Sequence, residues 1–171
     1  MTTLLVLIGT AVIGSVALCG LFLGGMRAKW PPVVDTVRRL NRRVLNPRQM
    51  ATAGQPGAYA GILRHTGRTS GTVYETPLGI ERTDDGFTIA LVYGARTQWL
   101  RNVLAAGRAE VVKDGRTYQV EHPEVVPIAD LGAFFSPSDQ RMASVFGTTE
   151  CLRLRVAAPL DGRPALESTH A

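Results

Sequence analysis

Two short stretches of the 171-residue sequence carry residue types suited to chemistry. The first is Gly67-Arg68-Thr69-Ser70-Gly71, where two glycines permit close backbone approach and three side chains offer donors with no acid among them. Consecutive N–H groups in such a turn form a concave nest for phosphate or carboxylate, and Arg68 can add a bidentate contact. An ordinary polar hairpin loop has the same composition, and taken alone that reading prevails. The second stretch is Tyr93-Gly94-Ala95-Arg96, followed by Trp99 and Asn102. A phenol and an indole beside a glycine turn can sandwich a flat heterocycle, and the N-terminus of a helix beginning there adds partial positive charge. The competing reading makes Trp99 core packing on an amphipathic helix, which residue burial statistics favour in isolation.

Other chemistries find little support. His65, His122 and His170 are scattered, and neither Cys19 nor Cys151 has a partner at ligand spacing, so no metal site is assigned. Ser70 lies outside any G-x-S-x-G pattern and no paired carboxylates stand out, so no catalytic side chain is assigned either. His65 reads as a hydrogen-bonded strand residue in preference to a catalyst.

The elements that must position these stretches follow from periodicity. Tyr59 to Thr66 and Val73 to Arg82 read as strands on either side of the glycine-bounded loop, and Phe87 to Tyr93 as a strand buried on both faces after an Asp85-Gly86 turn. Thr97 is a plausible N-cap for a helix through Ala106, stopped by Gly107, with Trp99, Asn102 and Val103 on one face. Ala109 to Lys113 and Arg116 to Val120 flank Asp114-Gly115, a dipeptide made for a tight hairpin. Ser136-Pro137 with Asp139 starts a short helix that Gly147 ends, bringing Phe134, Phe135, Met142 and Phe146. Leu152, Leu154 and Val156 alternate with Arg153 and Arg155 in a last strand. Six or so strands with one helix and a helical insertion suggest a small closed or half-open antiparallel barrel.

The N-terminal region has a different character. Thr2 to Met26 contains no charged side chain, and Leu4 to Leu23 matches the ~20 apolar residues that cross a bilayer. A cleaved secretory signal would carry a positive n-region, whereas this chain opens Met1-Thr2-Thr3, and a lipoprotein reading of Cys19 meets Leu18 where a small residue is expected. Residues 27–48 then hold seven basic side chains against Asp35 alone, about +6 in a chain of net +5. Such a flank resists translocation, which orients the remaining chain to the cytoplasm. Val33, Val34, Val37, Leu40, Val44 and Leu45 recur at helical spacing among the arginines, describing an amphipathic helix on anionic lipid after a Pro31-Pro32 break. The basic excess is confined to this stretch, which argues against nucleic acid as a partner. The expected organisation is an anchor at 1–26, a basic helix and linker at 27–57, a folded domain at 58–158 and a disordered tail at 159–171. With only two cysteines, one of them inside the span, no disulfide framework is expected.

Taken in order, Gly67-Arg68-x-Ser70-Gly71, Thr76-Pro77-Leu78, Tyr93-Gly94 and Trp99-x-x-Asn102-x-Leu104-Ala105-Ala106-Gly107 resemble the deazaflavin-dependent nitroreductase-like family, across about residues 58 to 126. The resemblance implies a mainly β, flavin-reductase-like split β-barrel, here with an N-terminal transmembrane helix. It also implies binding of reduced coenzyme F420, an 8-hydroxy-5-deazaflavin, and hydride transfer to quinones, nitro compounds or other electrophiles. By that likeness Gly67, Arg68, Thr69, Ser70 and Gly71 would hold the phosphate and acidic tail of the coenzyme, Thr76, Pro77 and Leu78 would flank its ring, and Tyr93, Gly94, Trp99 and Asn102 would close the other side. One departure is Thr69, where many members carry lysine. The segment after Pro127 falls where relatives place the acceptor, or is plain core. Hydride chemistry of this kind needs no acid–base or metal group from the protein. A membrane-dissolved apolar acceptor, membrane lipids as partners and a homodimer are compatible expectations. A fatty-acid-binding module on the same barrel, and a conventional flavin such as FMN in place of the deazaflavin, stand as the alternatives.

Overall fold

A computed structural model describes residues 2–157; the expected tail at 159–171 and His170 lie outside these. The chain runs through α1 (Thr2–Arg27), α2 (Pro31–Leu40), a π-helical turn (Asn41–Leu45) and α3 (Asn46–Met50) before the first strand. Seven strands follow: β1 (Ala60–Thr66), β2 (Val73–Gly79), β3 (Glu81–Arg82), β4 (Gly86–Ala90), β5 (Arg108–Lys113), β6 (Arg116–Pro127) and β7 (Glu150–Val156). Helix α4 (Gln98–Ala106) joins β4 to β5, and α5 (Pro137–Val145) lies between β6 and β7.

All strand pairs are antiparallel, in the order β2-β1-β5-β6-β7-β4-β3. The two edge strands are consecutive in the chain and separated by Ile80 alone, which is wholly buried. One continuous segment therefore serves both edges, and the sheet curls into a half-barrel instead of lying open. The curl encloses Leu63, Phe87, Ile89, Val111, Val120, Leu152 and Leu154, and α4 closes the core with Leu100 and Val103. Each fully buried aliphatic or aromatic side chain of this kind stabilises the fold by roughly 1.5–3 kcal/mol.

The local expectations meet the structure at most points. Asp114 and Gly115 both take positive φ, 53° and 73°, as a two-residue hairpin whose twist matches its strands requires. Ser136 caps α5 by accepting from the Asp139 amide at 3.2 Å. Thr97 stands at the α4 N-cap, yet its side chain makes no capping bond. Strand β4 ends at Ala90, short of the expected Tyr93, because the Gly94 amide turns back to donate to Leu91 O at 2.8 Å. Its first four residues are buried, as a strand covered on both faces should be. Strand β6 runs on to Pro127, past a bulge between Glu121 and Glu124 in which His122 has φ 52°.

The N-terminal helices differ more from expectation. Helix α1 is long and apolar enough to cross a membrane, by length and composition, over Thr10–Arg27. Its last turns dock on the domain: Met26 is buried, Gly25 lies against Val33, and the Phe22 ring meets Phe146 edge-on at 6.4 Å. Two of the basic residues expected at lipid headgroups point into protein. Arg27 Nη1 donates to Ser144 O and Val145 O at 2.8 and 3.2 Å, and Lys29 Nζ to Val92 O and Phe146 O at 2.8 and 3.1 Å. The carbonyls at the end of α5 are thus met by cations favoured at a helix C-terminus, Ser144 O also accepting from Gly147 N at 3.2 Å. The helical path of α2 continues through the π-turn and α3 to Met50. Pro47 has no N–H to donate and its ring crowds the carbonyl four residues back, and the wider turn before it, closed by Asn46 N to Asn41 O, relieves that conflict.

Candidate functional site

The loop between β1 and β2 is held from within and from below. Gly67 N donates to Thr72 O and Gly71 N to Gly67 O, both at 2.8 Å, while Thr72 N reaches Ser70 Oγ at 3.3 Å. A Cβ on Gly67 would stand 2.5 Å from Ser70 Oγ and 2.8 Å from the Tyr74 ring, so any larger residue there requires one of these side chains to shift. The amides of Thr69 and Ser70, both on the exposed part of the loop, make no bond to the described residues.

From below, α4 grips the loop. Arg68 Nη1 donates to Gln98 Oε1 and to Asn102 Oδ1, each at 2.9 Å, and the Arg68 amide reaches the same Asn102 oxygen at 3.3 Å. Gln98 and Asn102 are one helical turn apart, so their side chains share a face. The Nε and Nη2 edge of the exposed guanidinium has no acceptor among the described residues. Asn102 is buried and continues the network: its Nδ2 faces His65 Nδ1 at 3.2 Å, and His65 Nε2 faces Thr76 Oγ1 at 3.2 Å. His65 is therefore the hydrogen-bonded strand residue expected, stacked on Tyr74 with centroids 5.8 Å apart. Burial pushes its pKa below the ordinary histidine value, so the ring is neutral at physiological pH.

The structure thus joins Arg68, Asn102 and Thr76 in one network and adds His65, Gln98 and Tyr74 to it. Ser70 Oγ lies 3.3 Å from the Tyr74 hydroxyl on the same loop. Beyond Thr76 on β2, Pro77 is buried and Leu78 packs against the main core. Trp99 is half-buried against that core, and it sits between the two residues of α4 that hold Arg68. Tyr93 and Gly94 instead meet the N-terminal helices. The Tyr93 hydroxyl accepts from Asn41 Nδ2 in the π-turn, and burial raises the phenol's pKa. Gly94 faces the methylene stem of Lys29. No sequence signal marked Asn41 or Lys29 as neighbours of this turn, because their contacts span more than fifty residues of chain. In the segment after Pro127, Phe135 is buried with Leu131 and Cys151, Phe134 packs on them, and Met142 is exposed. A shallow concavity lined by Asp84, Asp85, Asp130, Leu131, Phe134 and Arg153 holds none of the loop or shelf residues.

Residues 36–144 match the F420H(2)-dependent quinone reductase family, well over half of the chain. The chain belongs to that family. As an F420H(2)-dependent quinone reductase family member it is an oxidoreductase whose coenzyme is F420. The match begins inside α2, so the family's pattern includes the helical segment that reaches Tyr93. Among solved structures, an F420 reductase aligns with 16% identity over 63% of this chain and 92% of its own, at a TM-score of 0.41. A protein solved as a domain-swapped dimer aligns with 14% identity over 69% and 96%, at 0.46. The protein Atu2129 of unknown function from Agrobacterium tumefaciens aligns with 19% identity over 57% and 48%, at 0.41. A search of curated proteins gives no match. The residues present fit an F420 reductase: a coenzyme with an anionic portion needs donors with no competing acid, and the exposed loop offers these two amides beside an immobilised guanidinium edge.

Proposed function

We propose that this reductase holds reduced F420 between the β1–β2 loop and the N-terminal end of α4, and reduces an apolar, quinone-like acceptor at the membrane surface. The observation that carries the reading is the fixed guanidinium of Arg68, tied on one side to Gln98 and Asn102 and open on the other. A cation held in place by its own protein loses less freedom on binding than a free side chain, which makes it a better grip for an anion. In this reading Gly67, Arg68, Thr69, Ser70 and Gly71 take the phosphate and acidic tail, and Thr76, Pro77 and Leu78 lie beside the ring. Trp99, Tyr93 and Gly94 bound the ring's other side. Asn102, with both ends of its amide committed to protein, positions Arg68 and does not itself bind the coenzyme.

When bound, the reduced coenzyme would supply a hydride, and the proton it gives up on oxidation would balance the one a quinone takes up in becoming a hydroquinone. The protein's part is to bind, orient and keep water out, for which no acid–base side chain is required. The split-barrel identity of the half-barrel, the division into anchor, basic helix and domain, and the cytoplasmic facing of the domain belong to the same proposal. They rest on the curl of the sheet, on the span and on its basic flank. Val12, Ile13, Val16, Leu18 and Leu21 of α1 are exposed, and a bilayer would cover them.

Titrating the full-length protein in detergent with F420 tests the reading. The chain has two tryptophans, so the W30F variant isolates Trp99. Saturable quenching of Trp99 is expected, and a flat titration would remove the assignment of the coenzyme to this end of α4.

A further inference from the structure

The network from Arg68 through Asn102 and His65 to Thr76 can be wired in only one direction. Asn102 Oδ1 accepts from Arg68 N at 3.3 Å and from Arg68 Nη1 at 2.9 Å, so the amide nitrogen is the atom facing His65 Nδ1 at 3.2 Å. That nitrogen can only donate, so Nδ1 must present its lone pair. The neutral ring then carries its hydrogen on Nε2 and donates it to Thr76 Oγ1 at 3.2 Å, leaving the threonine hydroxyl hydrogen to point onward. Turning the Asn102 amide over would set its NH2 against the N–H and guanidinium of Arg68. Because arginine never accepts, the direction is anchored at that end.

We propose that His65 is a positioning residue which locks this direction, and that a second proton on its ring releases the anion grip at Arg68. The proposal deepens the reading of the site as the F420 grip and rests on it. A proton on Nδ1 meets the Asn102 NH2 donor to donor. The amide relieves the clash by turning over, which offers Oδ1 to the charged ring and takes it away from Arg68 N and Nη1. The groups facing the imidazole leave the charged ring unsupported. Tyr74 and Thr76 face it from β2, Asn102 from α4 with Arg68 behind, and no carboxylate touches it among the described residues. The nearby carboxylates of Glu75 and Glu110 are engaged by Arg64 at 2.6 and 3.6 Å. Burial disfavours the charged ring as well, so protonation falls on the acid side of the ordinary histidine range.

The test compares the full-length protein with its H65Q variant, whose amide can accept toward Asn102 and donate toward Thr76 but does not titrate. The dissociation constant for F420 is measured by coenzyme fluorescence between about pH 5 and about pH 8, the interval in which histidine changes charge. Ionisations of the coenzyme itself appear in both curves, so their difference isolates His65. The unsubstituted protein is expected to lose at least about tenfold more affinity on acidification than H65Q, as befits one charge-assisted contact. Imidazole nitrogen shifts of the ligand-free protein should show the Nε2–H form at neutral pH. Binding with superimposable pH curves overturns the lock alone, and an Nδ1–H or charged ring at neutral pH does the same. Absence of F420 binding at every pH overturns the site assignment and the lock with it. Should H65Q not fold, ring protonation that leaves the Asn102 amide and Arg68 guanidinium resonances unmoved is the decisive negative.

Discussion

Arg68 is exposed, yet its guanidinium is not free to wander, because Gln98 and Asn102 each take a hydrogen bond from the same Nη1. In the proposed site, Arg68→Ala would remove one charge-assisted contact with the coenzyme and is expected to cost about 1.5–3 kcal/mol of binding. Fluorescence titration with F420 reads this directly, and unchanged affinity would return Arg68 to an ordinary loop residue. Arg68→Lys is expected to recover little, since an ammonium cannot bridge to α4 and present a planar edge outward together. Gly67→Ala tests the loop by sterics: the new methyl would displace Ser70 or Tyr74. A lower melting temperature with weaker F420 binding is expected, and a variant as stable and as tight as the parent would contradict the geometry.

At the scale of elements, α5 is tied at both ends by residues from elsewhere. Its first turn carries Asp139, which accepts from the Tyr59 hydroxyl at 2.7 Å just ahead of β1, and its last carbonyls accept from Arg27 and Lys29. Lys29 also holds Val92 O, so one ammonium joins the end of α1, the turn before Tyr93 and the end of α5. Burial of the ammonium lowers the Lys29 pKa from its ordinary value. Lys29→Met should leave the sheet intact and raise hydrogen exchange at residues 144–147 and around Val92. Unchanged exchange there would show that the clamp contributes nothing to local order.

At the scale of the whole molecule, one core is shared by the sheet and α4, so damage to it should be felt everywhere at once. Leu100→Ala leaves a cavity under α4 and is expected to destabilise the fold by about 2–5 kcal/mol in a single cooperative transition. Denaturant unfolding measures it, and a loss confined to α4 would argue that the helix is an independent unit. The exposed part of α1 makes the opposite prediction. Removing residues 2–21 should abolish flotation with liposomes while leaving F420 affinity intact, because the docked contacts begin at Phe22. Retained flotation would assign membrane binding to the basic helix instead.

The sequence by itself determined the local pieces. The Asp114-Gly115 hairpin, the Ser136 cap, the strands β1, β5 and β7 and most of α4 are set by nearest neighbours, which the order of residues displays. The ordered glycine, arginine and tryptophan motifs also led to the right family and coenzyme. Only the tertiary structure decided what these pieces face. That β2 and β3 become the two edges of one curled sheet, that Lys29 and Arg27 cap α5, and that Asn41 reaches Tyr93 are contacts between residues far apart in the chain. His65 shows the limit best. Its place on a strand was legible, but the tautomer it must adopt follows from an asparagine thirty-seven positions away whose amide is oriented by an arginine. Hydrogen-bond direction is a property of a closed set of partners, and the fold alone assembles that set.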